Sequence, residues 1–194
     1  NTTHTISVSA QNSNNVNTLY GAEVSTSTLC VLPIAGVYTV NQTSITASWL
    51  SGGNPGGTEY YCQRSTSSDF TLTADGGWAT AISTNSESLT RNTTYYFRVK
   101  SRNNNFVETI GYVSLGSTVT LCEVPPVPSI SNVYSSSITI KINTGVNNSY
   151  WSKYSIKVTS GVSSTPQYVQ ANGALNTAAI YQTTAAWTNS IFII

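Results

Sequence analysis

The side chains able to do acid–base, metal or nucleophilic chemistry are few in this chain and widely scattered. There is one histidine, His4, and there are seven carboxylates: Glu23, Glu59, Asp69, Asp75, Glu87, Glu108 and Glu123. No two acids stand at a spacing that would set up general acid–base work. Cys30, Cys62 and Cys122 lack the Cys/His spacing of a zinc site. Asp69 and Asp75 flank an expected turn without the dense oxygen ligands of a calcium loop. Gly52-Gly53 and Gly56-Gly57 introduce no helix and so form no phosphate loop. Outward tyrosines such as Tyr61 and Tyr96 could make a sugar-binding platform, but read more simply as covers for the stems of neighbouring Arg side chains. His4 reads as packing. The pattern points away from an enzyme, a metal or a catalytic cofactor.

Composition narrows the partners too. The 194 residues are rich in Ser, Thr, Asn and Tyr, contain no Met, and only 8% are charged. Soluble domains usually carry about a quarter charged residues, so hydroxyls, amides or attached sugars must supply the solubility. A net charge of +1 argues against nucleic acid or an anionic membrane as the main partner. Arg98, Lys100 and Arg102 alternate as a solvated sheet face would. No apolar run approaches the ~20 residues of a membrane span. Four Asn-x-Ser/Thr sequons, at Asn1, Asn41, Asn92 and Asn147, are the expected sites of N-linked glycans. So few carboxylates leave little for acid to protonate, which suits an acidic setting or a merely extracellular one.

The elements that must position these groups are strands. Apolar residues alternate with period two in short runs, separated by Gly, Asn, Pro and Ser clusters. Ile45, Ala47 and Trp49 share one face, and Ser51 to Gly57 breaks the run. Tyr60 and Cys62 point inward on the next strand, which makes Cys62 a buried free thiol. Asp75-Gly76-Gly77 interrupts the pattern before a short strand near Trp78. Leu89 follows, then Tyr95, Phe97 and Val99 inward, an Asn103-Asn104-Asn105 turn, and a last strand toward Cys122.

The chain also repeats itself. Asn1-Thr2-Thr3-His4-Thr5-Ile6-Ser7-Val8 returns as Asn92-Thr93-Thr94-Tyr95-Tyr96-Phe97-Arg98-Val99, and Leu29-Cys30 returns as Leu121-Cys122. The period of about ninety residues is the size of one small β-sandwich. Cys30 and Cys122 then occupy equivalent domain exits, beyond the ~4.4–6.8 Å Cα separation of a disulfide.

Residues 33–122 resemble a fibronectin type III domain. Trp49 on the second strand and the run Leu89, Thr93, Tyr95, Phe97, Val99 carry the resemblance. It implies an immunoglobulin-like sandwich of seven strands in two sheets, with Tyr95 as the corner tyrosine. A divergent second copy follows. Ser137-Ile138-Thr139 matches Ser44-Ile45-Thr46, Ile142 stands where Trp49 stood, and Tyr154, Ile156 and Val158 form its third strand. Trp187 to Ile194 aligns with the approach to the Tyr95 strand, placing Phe192 at the tyrosine position.

The expectation is therefore an all-β chain with three parts. Residues 1–30 are a strand segment, 31–124 a complete sandwich, and 125–194 a sandwich lacking its last strand or strands. An incomplete sandwich exposes a groove and an unpaired edge, and Thr5, Ile6, Val8 and Ala10 alternate as an inserted strand should. Residues 1–12, or the stretch to Leu29, of one subunit would complete the second sandwich of the next. That arrangement resembles donor-strand complementation in pilins and is similar to the glycosylated surface threads of acidophilic archaea. It implies an extracellular, cell-surface filament of identical subunits joined head to tail, serving adhesion to cells or surface glycans. Two alternatives stay open: a stretch of a tandem fibronectin III surface protein (an adhesin, spacer or surface-layer stalk) without strand exchange, and an accessory module of a secreted polysaccharide-degrading enzyme.

Overall fold

The computed structural model describes residues 1–146, 148, 150–161, 165–187 and 190–193. The sequon at Asn147 and the terminal Ile194 lie outside the described residues. Among the described residues all regular structure is strand, and the chain divides into two compact units. The first comprises Asn1–Leu89 and Thr93–Thr120; the second comprises Thr90–Asn92 and Leu121–Ile194.

In the first unit, β1 (Thr3–Ile6) and β2 (Val24–Ser27) form a two-stranded hairpin. Seven further strands follow: β3 (Ile34–Val40), β4 (Ile45–Leu50), β5 (Glu59–Ser65), β6 (Thr73–Ala79), β7 (Ser83–Ser86), β8 (Thr94–Arg102) and β9 (Val113–Val119). They make two antiparallel sheets, β3-β4-β7 and β6-β5-β8-β9, the seven strands in two sheets that the fibronectin III resemblance implies. Alternation drives the closure. Ile45, Ala47 and Trp49 of β4 face Tyr60 and Cys62 of β5 and Tyr95, Phe97 and Val99 of β8, with Leu89 and Leu115 sealing the ends. Trp49 stacks on Tyr60 with ring centroids 5.9 Å apart, and Tyr38 on Phe97 at 5.4 Å. Each such pair adds about 0.5–1.5 kcal/mol beyond its burial.

Asp75-Gly76-Gly77 does not break the chain as the composition suggests. These residues lie inside β6, Asp75 opposite Gln63, and a register shift between Tyr61 and Gln63 absorbs the glycines, with Gly77 at φ 74°. Only Asp69 sits in the turn, where its carboxylate accepts from Ser67 Oγ and from Thr71 N and Oγ1. Those bonds hold it below the usual carboxylate range.

All three thiols are free. Burial pushes the Cys62 thiol up to about 12, and burial also raises Cys30, whereas Cys122 is exposed. Because the thiolate is the nucleophile, alkylation of the native chain at pH 8 should label Cys122 first and Cys30 slowly. Cys62 should react only on unfolding. Peptide mass mapping over a time course checks this order, and early labelling of Cys62 would contradict the closed first core.

The second unit is built from β10 (Ser129–Val133), β11 (Ser137–Lys141), β12 (Lys153–Tyr154), β13 (Lys157–Val158), β14 (Gln167–Val169), β15 (Leu175–Asn176), β16 (Gln182–Thr183) and β17 (Ser190–Ile193). The sheet β10-β11-β17 repeats the order of β3-β4-β7. The placement of Phe192 on a Tyr95-like strand is corrected by register. Phe192 lies opposite Ile138 as Ser86 lies opposite Ile45, so β17 is the counterpart of β7.

Candidate functional site

The second unit keeps the internal clamps of the first. Tyr60 Oη donates to the Ser51 carbonyl at 3.5 Å, and Tyr154 Oη to the Thr144 carbonyl at 3.4 Å. Asn54 accepts from Val31 N and donates to Val31 O and Ser51 O. Asn148 likewise accepts from Glu123 N and donates to Glu123 O and Thr144 O. These repeated bonds equate Tyr154, Ile156 and Val158 with Tyr60, Cys62 and Arg64. On one side, β12–β13 carries strands in the place of β6: Tyr154 pairs with Gln182 as Tyr60 pairs with Ala79, and Lys157 with Tyr168 as Gln63 with Asp75. On the other side β5 carries β8, then β9. Among the described residues neither β12 nor β13 has a second neighbour.

Packing shows the consequence. In the first unit Phe97 and Val99 are 0% exposed, and they close Ile45 and Ala47 off from water completely. Their positional counterparts Ile138 and Ile140 are only half-buried, as is Ile142 where Trp49 stood. Tyr154, Ile156, Val169 and Trp187 form a smaller core. Trp187 Nε1 donates to the Tyr154 carbonyl at 2.9 Å. Beside them lies a groove of about 190 Å³ lined by Pro125, Pro128, Ile140, Ile142, Tyr154 and Ile156, among others. The Ser155 hydroxyl is buried with no hydrogen-bond partner among the described residues. An unpaired strand edge beside an apolar groove is a ready template for an added strand.

The hairpin of β1 and β2 presents the converse surface. Ile6 is 51% and Val8 74% exposed, and Thr5, Ala10 and His4 are exposed as well. His4 is therefore exposed within the subunit, unlike its buried counterpart Tyr95. Polar contacts hold the base of the hairpin. Asn103 Nδ2 donates to the Ser27 and Thr28 carbonyls, Ser27 N donates to Asn105 Oδ1, and Asn1 Nδ2 donates to Thr58 Oγ1.

Its internal bonding follows that of β8–β9 at the base and at the tip. Thr3 pairs with Ser27 and Ile6 with Val24, as Thr94 pairs with Val119 and Phe97 with Gly116. Thr28 N donates to Thr2 O at 3.0 Å, and Thr120 N to Thr93 O at 3.1 Å. At the tip, Asn12 Oδ1 accepts from Asn14 N and Val16 N, as Asn103 Oδ1 accepts from Asn105 N and Val107 N. Asn15 and Phe106 take the same left-handed conformation, φ 61° and 62°. Two departures lie between these ends: β9 carries a bulge at the extra residue Leu115, and its pairs Arg98–Ser114 and Val99–Val113 have no counterpart in the β1–β2 ladder, which ends at Ile6–Val24.

The other sequence candidates fall elsewhere. Trp49, Tyr60, Cys62, Leu89, Tyr95, Phe97 and Val99 are all buried in the first core. Of the outward tyrosines Tyr61 and Tyr96, Tyr61 lies against a cation, and other rings of the sheet do the same. Lys100 Nζ lies 5.3 Å from the Tyr61 ring and 5.5 Å from Trp78, and Arg98 is held 4.2 Å from both Phe70 and Tyr112. Among the described residues no group of three or more His, Cys, Asp or Glu could hold a metal ion.

The described sequons differ in environment. Asn41 is exposed in the β3–β4 turn, its amide donating to the nearby Ser44 hydroxyl. Asn1 is half-buried with its amide shared between Thr58 and Asn104. Asn92 is half-buried at φ 50°, donating to Ser152. In a glycosylating host, Asn41 should therefore carry the highest occupancy of these three. Intact glycopeptide mass spectrometry checks this, and full occupancy at Asn92 with none at Asn41 would refute it.

No family model and no curated protein matches the chain. Among solved structures it is similar to the fibronectin type III domain of human fibronectin type III domain containing protein 3, at 18% identity and TM-score 0.40, over 50% of this chain and 90% of that one. It is similar to a two-domain fibronectin type III segment of chicken tenascin, at 11% identity and TM-score 0.42, over 84% of this chain and 81% of that one. It is also similar to the FN1–FN3 domains of chicken CNTN1, at 11% identity and TM-score 0.40, over 98% of this chain and 66% of that one.

Proposed function

We propose that this chain is the structural subunit of an extracellular, cell-surface filament that grows head to tail by strand complementation. The observation that carries the reading is the pairing of an open groove with an exposed copy of the element that fills the equivalent groove. Neither β12 nor β13 has a second neighbour among the described residues, and the hairpin that could supply one exposes Ile6 and Val8. Donor and acceptor are different surfaces of one chain, so each contact leaves a free donor at one end and a free acceptor at the other. Such heterologous contacts run on without closing. The sparse charge, the exposed sequon at Asn41 and the scattered acids fit a glycosylated fibre whose work is mechanical and adhesive.

Sedimentation velocity of the purified full chain over a rising concentration series tests the proposal. Open-ended multimers should form, and an excess of chain lacking residues 1–29, which can accept but cannot donate, should shorten them. Monomers at every concentration would overturn head-to-tail assembly and favour the tandem-array reading, in which the groove is filled by strands of the same polypeptide.

A further inference from the structure

Resting on the head-to-tail reading, we infer that the donated element is the whole hairpin, residues 1–29, and that it enters the neighbour's groove as two paired strands in the places of β8 and β9. Two observations converge on it. The second unit has described counterparts of β3 to β7 and none of either β8 or β9, so a single strand would leave one position empty. The hairpin already holds the β8–β9 bonds at its base, from Thr2–Thr28 to Ile6–Val24, and again at the Asn12 tip. It therefore arrives pre-organised, and little ordering is needed on docking.

The equivalences also set the register. Cys62 pairs with Val99 and Tyr60 with Ser101 in the first unit. Ile156 should then pair with Val8, Tyr154 with Ala10 and Val158 with Ile6. On the opposite face Lys157 meets Ser7, and Ser9 comes opposite Ser155, whose buried hydroxyl lacks a partner among the described residues. β2 takes the place of β9, whose Leu115 carbonyl accepts from Tyr38. The counterpart of Tyr38 is Ile130, opposite Ile140 as Tyr38 is opposite Ala47, and it is 62% exposed until β2 covers it.

Side-chain sizes support the match. The first core sets small Ala47 and Cys62 against large Phe97. The second sets larger Ile140 and Ile156 in those places, and the hairpin offers smaller Ile6 where Phe97 stood. The hairpin thus suits the second groove better than the first, because close-packed interiors conserve volume across facing positions.

Two cysteine pairs in the full chain test strand number and register together, with Cys30 and Cys122 replaced by Ser and the buried Cys62 left in place. Ser7→Cys with Lys157→Cys reports β1, and Val24→Cys with Ile130→Cys reports β2. None of the four sites is buried in the subunit, so the variants should fold as the parent does. With a short bis-maleimide, both pairs should give a ladder of covalent multimers. A ladder from the first pair alone would overturn the hairpin inference while leaving head-to-tail assembly standing. Multimers that form without cross-linking from either pair would overturn the register. Monomers throughout would remove the head-to-tail reading itself.

Discussion

Ile6→Asp combined with Val8→Asp is expected to stop end-to-end assembly while leaving the subunit folded. Both side chains are exposed in the subunit, so their replacement removes nothing from either core. On docking they enter the groove beside Ile140, Tyr154 and Ile156. Burying an Ile or Val side chain contributes about 1.5–3 kcal/mol. Losing both therefore weakens the contact by roughly 3–6 kcal/mol, about a hundredfold to ten-thousandfold in Kd. Two carboxylates facing an apolar groove add a desolvation penalty on top. Light scattering of the variant against the parent at matched concentration measures the loss. Far-ultraviolet circular dichroism should be unchanged, and thermal unfolding should match that of the parent at a concentration too low for assembly. Parent-like multimers from the double variant would show that β1 is not the donor.

The second large effect separates the two cores. Phe97 is 0% exposed and stacked on Tyr38 at 5.4 Å, and Phe97→Ala should destabilise the first unit by about 3–5 kcal/mol, since the cavity cannot collapse fully. That cost should not depend on protein concentration, because β8 is supplied by the same chain. Ile156→Ala should behave differently. In the free subunit the site borders an open groove, so the loss is about 2 kcal/mol, near the transfer cost of the three missing carbons. In the assembled protein Ile156 lies under Val8, and the loss should rise toward about 4–5 kcal/mol as a closed cavity is added. Thermal unfolding at a low and a high concentration distinguishes the two. Equal shifts for Ile156→Ala at both concentrations would contradict a donated partner.

Much of this was legible in the residues themselves. The alternation of Ile45-Ala47-Trp49 and Tyr95-Phe97-Val99 marks strands buried on one face, and these became the first core. The repeat of residues 1–8 in 92–99 identified the hairpin, because a duplicated strand pair keeps its turn residues. Asn12 and Asn103 make the same bonds. The position of Phe192 was not legible. The second unit spends about a dozen more residues than the first between its Tyr154 and the β7-like strand, around the β14–β15 hairpin. Spacing alone reads that insertion as one strand further along. Asp75-Gly76-Gly77 misleads for a related reason, since glycines serve a bulge inside a strand as well as a turn. Exposure of Ile6 and Val8 could not be read from alternation, which gives the face a side chain occupies but not whether anything covers it.

Electron cryo-microscopy of the assembled, full-length protein tests the central claim most directly, through the strands lying along Lys153–Val158. The expected density is a two-stranded hairpin traced to residues 1–29 of the neighbouring subunit, with Val8 opposite Ile156. Strands continuous with the same polypeptide in that groove, or a groove left empty within an ordered assembly, would contradict it.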